Sequence, residues 1–125
     1  MPFTRVIYFK ESTGCVLVLD WLDELQRTNR QAWKKCSARI LQLRSGGYDL
    51  RRPVVDFLRD GIMELRMRQG NVQLRLLYFF TGQNIAVISH GFVKHGGQVP
   101  EQEIEKAIRN RSKFRLNPEL HTYEE

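Results

Sequence analysis

A chain of 125 residues, 42% hydrophobic and 27% charged, has the length of one domain and the composition of a packed core, which excludes disordered and fibrous classes. Its formal charge of +6 points to a polyanionic partner, nucleic acid or an acidic protein, and fourteen of the twenty cations are Arg, whose planar fork fits phosphate. No apolar run reaches the ~18 residues of a membrane span, and Arg5, Lys10 and Glu11 break any signal-peptide pattern, so a cytoplasmic protein with no membrane partner is expected. Cys15 and Cys36 lie far apart and read as two reduced thiols rather than a disulfide or a metal pair.

Residues 3–9 predict a first strand, because Thr4, Val6 and Tyr8 alternate with Phe3, Ile7 and Phe9 and both faces are apolar. Ser12 or Thr13 is the candidate cap of a helix in which Val18, Trp21 or Leu22, and Leu25 recur at helical spacing. Thr28-Asn29 breaks the chain, and Asn29 suits the cap of a second helix carrying Trp33, Cys36, Ile40 and Leu43 until Ser45-Gly46-Gly47 stops it. The second helix holds Arg30, Lys34, Lys35, Arg39 and Arg44 and no acid, which fits either a bound acidic partner or plain solvation. Residues 48–60, with Pro53, predict a loop with at most a short strand or turn near Val54–Leu58.

Three alternating runs follow, over residues 61–68, 72–80 and 85–95, linked by short segments with Gly and Asn. They predict a three-stranded antiparallel meander with Met63, Leu65, Met67, Leu74, Leu76 and Tyr78 on its core face. Glu64, Arg66, Arg68 and Arg75 take the other face, with His90, Lys94 and His95 arriving at the end of the third strand. Pro100 opens a last helix with acids in its first turns and Arg109, Arg111 and Lys113 near its end. The expected organisation is a single domain over residues 1–115 and a polar, frayed tail over 116–125. Helices and strands that do not alternate predict an α+β fold, with the helices packed on one sheet face and the opposite face free.

Glu64-Leu65-Arg66, Arg75-Leu76-Leu77-Tyr78, His90-Gly91-Phe92-Val93-Lys94, Pro100 and Glu103-Ile104-Glu105-Lys106-Ala107, in this order, resemble the phage-derived, Gp49-like branch of the HigB/RelE toxin superfamily. The resemblance runs from about Thr4 to Arg111. It implies a RelE-like fold, order β-α-α-β-β-β-α, with a small twisted, mainly antiparallel sheet and a helical hairpin packed on one face. It also implies the toxin of a toxin–antitoxin pair, an endoribonuclease that cuts mRNA on the ribosome and is neutralised by an antitoxin; the +6 charge makes that antitoxin an expected acidic protein, of helix-turn-helix type. The family's third strand ends in Lys-Lys, whereas this chain has Lys94-His95 followed by two glycines. RelE-like folds also host gyrase inhibitors, so a non-catalytic nucleic-acid-binding module is the alternative.

The residues supply cations and imidazoles on one face, which fits the RNA cleavage that the resemblance implies, a reaction that can run without metal. Attack of a 2′-hydroxyl on its phosphate needs a base, an acid for the leaving 5′ oxygen, and cations for the added charge. Arg66, Arg75, His90, Lys94 and His95 are the candidate catalytic set. Arg75 is expected to offer its fork to a phosphate and His95 to move protons, with His90 and Glu64 as the other proton carriers. Arg68, Lys34, Lys35, Arg39, Arg51 and Arg52 are the candidate nucleic-acid-binding residues. No cofactor is expected, and no metal, since His90 and His95 lack a third ligand.

Overall fold

The computed structural model describes residues 3–125, so the first two positions of the expected 1–115 domain lie outside the described residues. It is a mixed α+β structure with three α-helices and an open six-stranded sheet. The strands are β1 (Arg5–Phe9), β2 (Val55–Arg59), β3 (Ile62–Gln69), β4 (Val72–Thr81), β5 (Ile85–Lys94) and β6 (Thr122–Tyr123), in the sheet order β2-β3-β4-β5-β1-β6. All neighbours are antiparallel except β1 and β5. A parallel pair needs a long crossover. Here α1 (Leu17–Thr28), α2 (Arg30–Gly46) and the β2–β4 segment supply it. Among the described residues no helix is long and apolar enough to cross a membrane.

The hairpin of α1 and α2 forms where the periodicity placed it. Val18, Leu22 and Leu25 of α1 and Ala32, Cys36, Ile40 and Leu43 of α2 are buried against Val6, Tyr8, Met63, Leu65, Met67, Leu74, Leu76 and Tyr78 of the sheet. Asn29 caps α2 by accepting from the Ala32 amide at 3.2 Å. The expected Ser12 or Thr13 cap of α1 is not used; the helix starts one turn later, after Val16, with no side-chain cap. Both cysteines are free, and burial pushes the Cys36 thiol up to about 12.

Gly91 on β5 is required by this packing. A Cβ there would stand 2.3 Å from Cε3 of Trp21 on α1 and 2.9 Å from Leu76 Cδ2. Gly91→Ala is therefore expected to lower stability by about 1–3 kcal/mol, the usual cost of overpacking. A urea midpoint equal to wild type would contradict this account of the hairpin's seat on the sheet.

Three expectations are corrected. The meander has four strands, because residues 55–59 form an edge strand paired with β3 from Val55↔Leu65 to Arg59↔Ile62. The opposite sheet face is only half free, because α3 (Glu101–Leu116) covers the rest. Ile104, Ala107 and Phe114 pack there on Ile7, Phe9, Ile62, Leu77, Phe79, Val87 and Phe92. The cause lies along each strand: the outward positions of β4 run Gln73, Arg75, Leu77, Phe79, polar at one end and apolar at the other. Finally, the end of the chain is not frayed. Tyr123 and Thr122 pair with Tyr8 and Phe9, the His121 ring stacks on Phe9 at 5.2 Å, and Glu124 meets Arg5 at 2.6 Å. A polar segment is held here by backbone pairing and ring stacking rather than by an apolar stripe.

Candidate functional site

The part of the sheet face that α3 leaves open carries Glu64, Arg66, Arg75 and Lys94. Glu64 and Arg66 are two residues apart on β3 and so share a face. Arg75 on β4 is the cross-strand partner of Arg66, and Lys94 on β5 pairs with Gln73 beside it. Glu64 is 3% exposed. Its Oε2 lies 3.4 Å from Arg75 Nε and its Oε1 3.6 Å from Arg66 Nε. Among the described residues neither Glu64 Oε2 nor Arg75 Nε has a hydrogen-bond partner, so the two face each other as a buried charge pair.

A groove of about 390 Å³ opens on Glu64. Glu64, Arg66 and Lys94 line it together with Arg52, Asp56 and Arg59 from the β2 side and Gln98, Val99 and Glu101 from the entry to α3. Arg52 is tied to Asp56 at 2.6 Å, and Arg59 bridges Asp60 and Glu101. Burial pushes the Glu64 carboxyl above the ordinary carboxylate range, against the pull of Arg75, Arg66 and Lys94. Burial, and then the neighbouring Arg75, push the Lys94 ammonium down. A carboxylate moved up and an ammonium moved down in one groove bring the two groups closer in proton affinity.

The sequence-predicted residues divide. Arg66 and Lys94 line the groove with Glu64. Arg75 stands behind Glu64, 3% exposed, and its fork is spent within the protein. Nη1 donates to Leu74 O at 2.8 Å and to Met67 O at 3.3 Å, and Nη2 donates to Gln73 Oε1 at 3.0 Å. The expectation of a fork free to meet phosphate is thus corrected: the side chain folds back on a carbonyl of its own strand, Leu74, one of β3, Met67, and the Gln73 side chain. His95 is exposed just beyond β5 and does not line this groove. Among the binding candidates, Arg52 lines the groove, and Lys34, Lys35, Arg51 and Arg68 are exposed elsewhere. Arg39 is half-buried, with Nε donating to Arg66 O at 2.8 Å.

His90 is not in the groove either. The register between β4 and β5 slips at Ser89, so that Leu77 faces His90 while Tyr78 faces Ile88. This extra residue reverses the alternation and turns His90 under α3. There the ring is 2% exposed, with Nδ1 2.8 Å from Ser89 Oγ and Nε2 3.0 Å from Glu103 Oε1, while Asn110 Nδ2 donates to Ser89 Oγ at 2.9 Å. Burial, helped by the Lys106 cation and opposed by Glu103, pushes the imidazole down to about 4. The unfolded chain, at an ordinary value of about 6.5, binds more protons between these limits, so this contribution to stability is complete above about pH 6.5 and is lost as pH falls toward 4. Over that window the loss amounts to about 3 kcal/mol. His90→Gln is expected to flatten the stability profile there, read as urea midpoints against pH. Equal slopes for wild type and variant would rule out the buried neutral ring.

Sequence reasoning named Glu64 only behind His95, as one of the other proton carriers, and did not bring β2 or residues 97–101 to the site. Its usable signal was the single acid among Arg66, Arg68 and Arg75 on one strand face. Among the described residues no three His, Cys, Asp or Glu side chains come together as metal ligands.

A family model described as Phage derived protein Gp49-like (DUF891) matches residues 20–112, a span that runs from α1 into α3 and takes in every residue of the Glu64 cluster. No match to the chain was found among curated proteins.

Proposed function

The chain belongs to the Gp49-like family of phage-derived proteins, and from that premise we propose that it is the toxin of a toxin–antitoxin pair, a RelE-like endoribonuclease that cuts mRNA on the ribosome. The observation that carries this reading is the buried Glu64 carboxylate held among Arg66, Arg75 and Lys94 at the wall of an open groove. A phosphodiester seated in that groove meets a base, an acid and a cation within one site. Glu64 takes the proton of the 2′-hydroxyl as its oxygen bonds to phosphorus. Lys94 gives a proton to the 5′ oxygen as the P–O5′ bond breaks. Arg66, half-exposed with its Nε toward Glu64, stabilises the added negative charge of the phosphorane. The products are a 2′,3′-cyclic phosphate and a 5′-hydroxyl, and the balance needs no metal or cofactor.

Arg75 is a positioning residue in this scheme. Its guanidinium fixes Glu64 from behind while its own donors are held by Leu74, Met67 and Gln73. His90 holds α3 to the sheet, and His95 lies outside the reaction. The partners are the ribosome with its mRNA and an acidic helix-turn-helix antitoxin, which would neutralise the cations of the groove or of α2.

Primer extension on cellular mRNA after brief induction tests the reading. New 5′ ends within translated codons are expected. Intact mRNA together with trapped DNA breaks would instead favour a gyrase inhibitor on the same fold.

A further inference from the structure

Two further grooves are linked to the Glu64 groove in turn by shared lining residues. One, of about 250 Å³, is lined by Arg39, Pro53, Arg66, Met67, Arg68, Gln73 and Arg75. The next, of about 380 Å³, is lined by Lys35, Ala38, Arg39, Met67 and Arg68. Arg66 is common to the first two grooves, and Arg39, Met67 and Arg68 to the last two. Among the described residues no acid lines either of the added grooves. Among the described residues no ion pair includes Lys35, Arg39 or Arg68. Arg68 spends only Nε, on Gly70 O at 2.8 Å. Three cations gathered without an anion repel one another, and the cost is removed by a ligand that carries negative charge.

The course of these grooves limits that ligand. The Glu64 groove lies on the α3 side of the sheet, whereas Met67 faces the α1–α2 hairpin. The passage between the two sides is the edge of β3. β2 pairs with that edge only up to Val55↔Leu65, and the Arg66 amide then donates to Val54 O at 2.8 Å. From Met67 to Gln69 the edge is uncovered by any strand of the described residues. A path that turns from one sheet face round an edge to the other suits a flexible, evenly charged chain. A rigid duplex cannot follow it.

We infer that Lys35, Arg39 and Arg68 form a second binding site for single-stranded RNA, holding the phosphates that flank the one seated at Glu64 as the strand bends round the open edge of β3. The inference rests on the nuclease reading for its direction, but binding is measured apart from cutting. The probes are 5′-labelled 2′-O-methyl RNAs, which lack an attacking hydroxyl, of about four and about twelve nucleotides, bracketing common single-strand site sizes. Fluorescence anisotropy with the full chain is expected to show the longer strand bound at least about tenfold tighter, with affinity falling steeply in salt. Lys35→Gln with Arg68→Gln leaves the structural Arg39 contact intact. It is expected to lower the slope of log affinity against log salt by about 1 to 1.5, at about 0.7 per lost contact. A blunt duplex of the longer length should bind more weakly than the single strand.

Wild-type affinity and slope in the double variant would overturn the inference. So would equal binding of the duplex, or binding of a poly-glutamate peptide in place of RNA. If the double variant binds poorly while the wild type leaves mRNA uncut, the track stands and the nuclease reading fails. If the double variant cuts ribosome-bound mRNA and binds RNA as the wild type does, the track fails and the nuclease reading stands.

Discussion

Replacing Glu64 by Gln is expected to slow single-turnover cleavage of ribosome-bound mRNA by on the order of 10²–10⁴-fold, the ordinary worth of a general base. Gln keeps the shape and an accepting oxygen but cannot take a proton. The rate has to be read per folded molecule, since the change also strips Arg75 of the carboxylate 3.4 Å away. The pH profile separates a base from a structural role. A base works ionised, so the wild-type rate rises with pH through the Glu64 value, and burial places that limb above the ordinary carboxylate value of about 4.3. An acid works protonated, so the rate falls again through the Lys94 value, which burial and Arg75 place below the ordinary lysine value of about 10.4. Glu64→Gln should lose the acid limb and keep the alkaline one. A residual rate with both limbs intact would return the proton-transfer role to His95.

The second large effect is on stability. Arg75→Ala is expected to destabilise the fold by about 3–5 kcal/mol, because it leaves the Glu64 carboxylate buried without its nearest cation. Glu64 can relieve part of that cost by taking a proton, so the loss should shrink as pH falls. Replacing both charges, as Glu64→Leu with Arg75→Met, should recover most of the stability, since well-packed apolar residues often match or exceed a buried ion pair. Urea midpoints of the two single variants, the double variant and the wild type measure the coupling. Additive losses would mean that the two charges do not hold each other.

Both effects turn on how the polar residues are buried, and that was the part of the molecule least legible in the sequence. Alternation in residues 62–69 and 72–81 and helical spacing in 17–46 were strong local signals, and each reports the face that meets the α1–α2 hairpin. The second core was hidden, because Leu77, Phe79 and Val87 stand on the face that Glu64 and Arg75 made look polar. Periodicity is read strand by strand, whereas this face changes character along each strand. His90 reaches the face of Arg66 and Arg75 because one inserted residue, Ser89, reverses the alternation after Ile88, but α3 covers it there, and no period along β5 announces that cover. β2 carries Asp56 and Arg59 among Phe57 and Leu58, a weak alternation with Pro53 just before it, so its pairing with β3 decided its structure. Two-residue β6 has too little sequence to announce itself. The charge excess was legible at once, but its arrangement was not. Only the fold shows that Arg75 is spent internally while Arg39, Arg66 and Arg68 join successive grooves.

The most direct test of the central claim, that RNA is cut at Glu64 by its own 2′-hydroxyl, is the end chemistry of mRNA cleaved on programmed ribosomes. The wild type should leave a 2′,3′-cyclic phosphate and a 5′-hydroxyl; a single 2′-deoxy substitution at the cut position should abolish both ends, and the Glu64→Gln variant should form them on the order of 10²–10⁴-fold more slowly. Cleavage that survives the 2′-deoxy substitution, or cyclic-phosphate ends formed by Glu64→Gln at the wild-type rate, would contradict it.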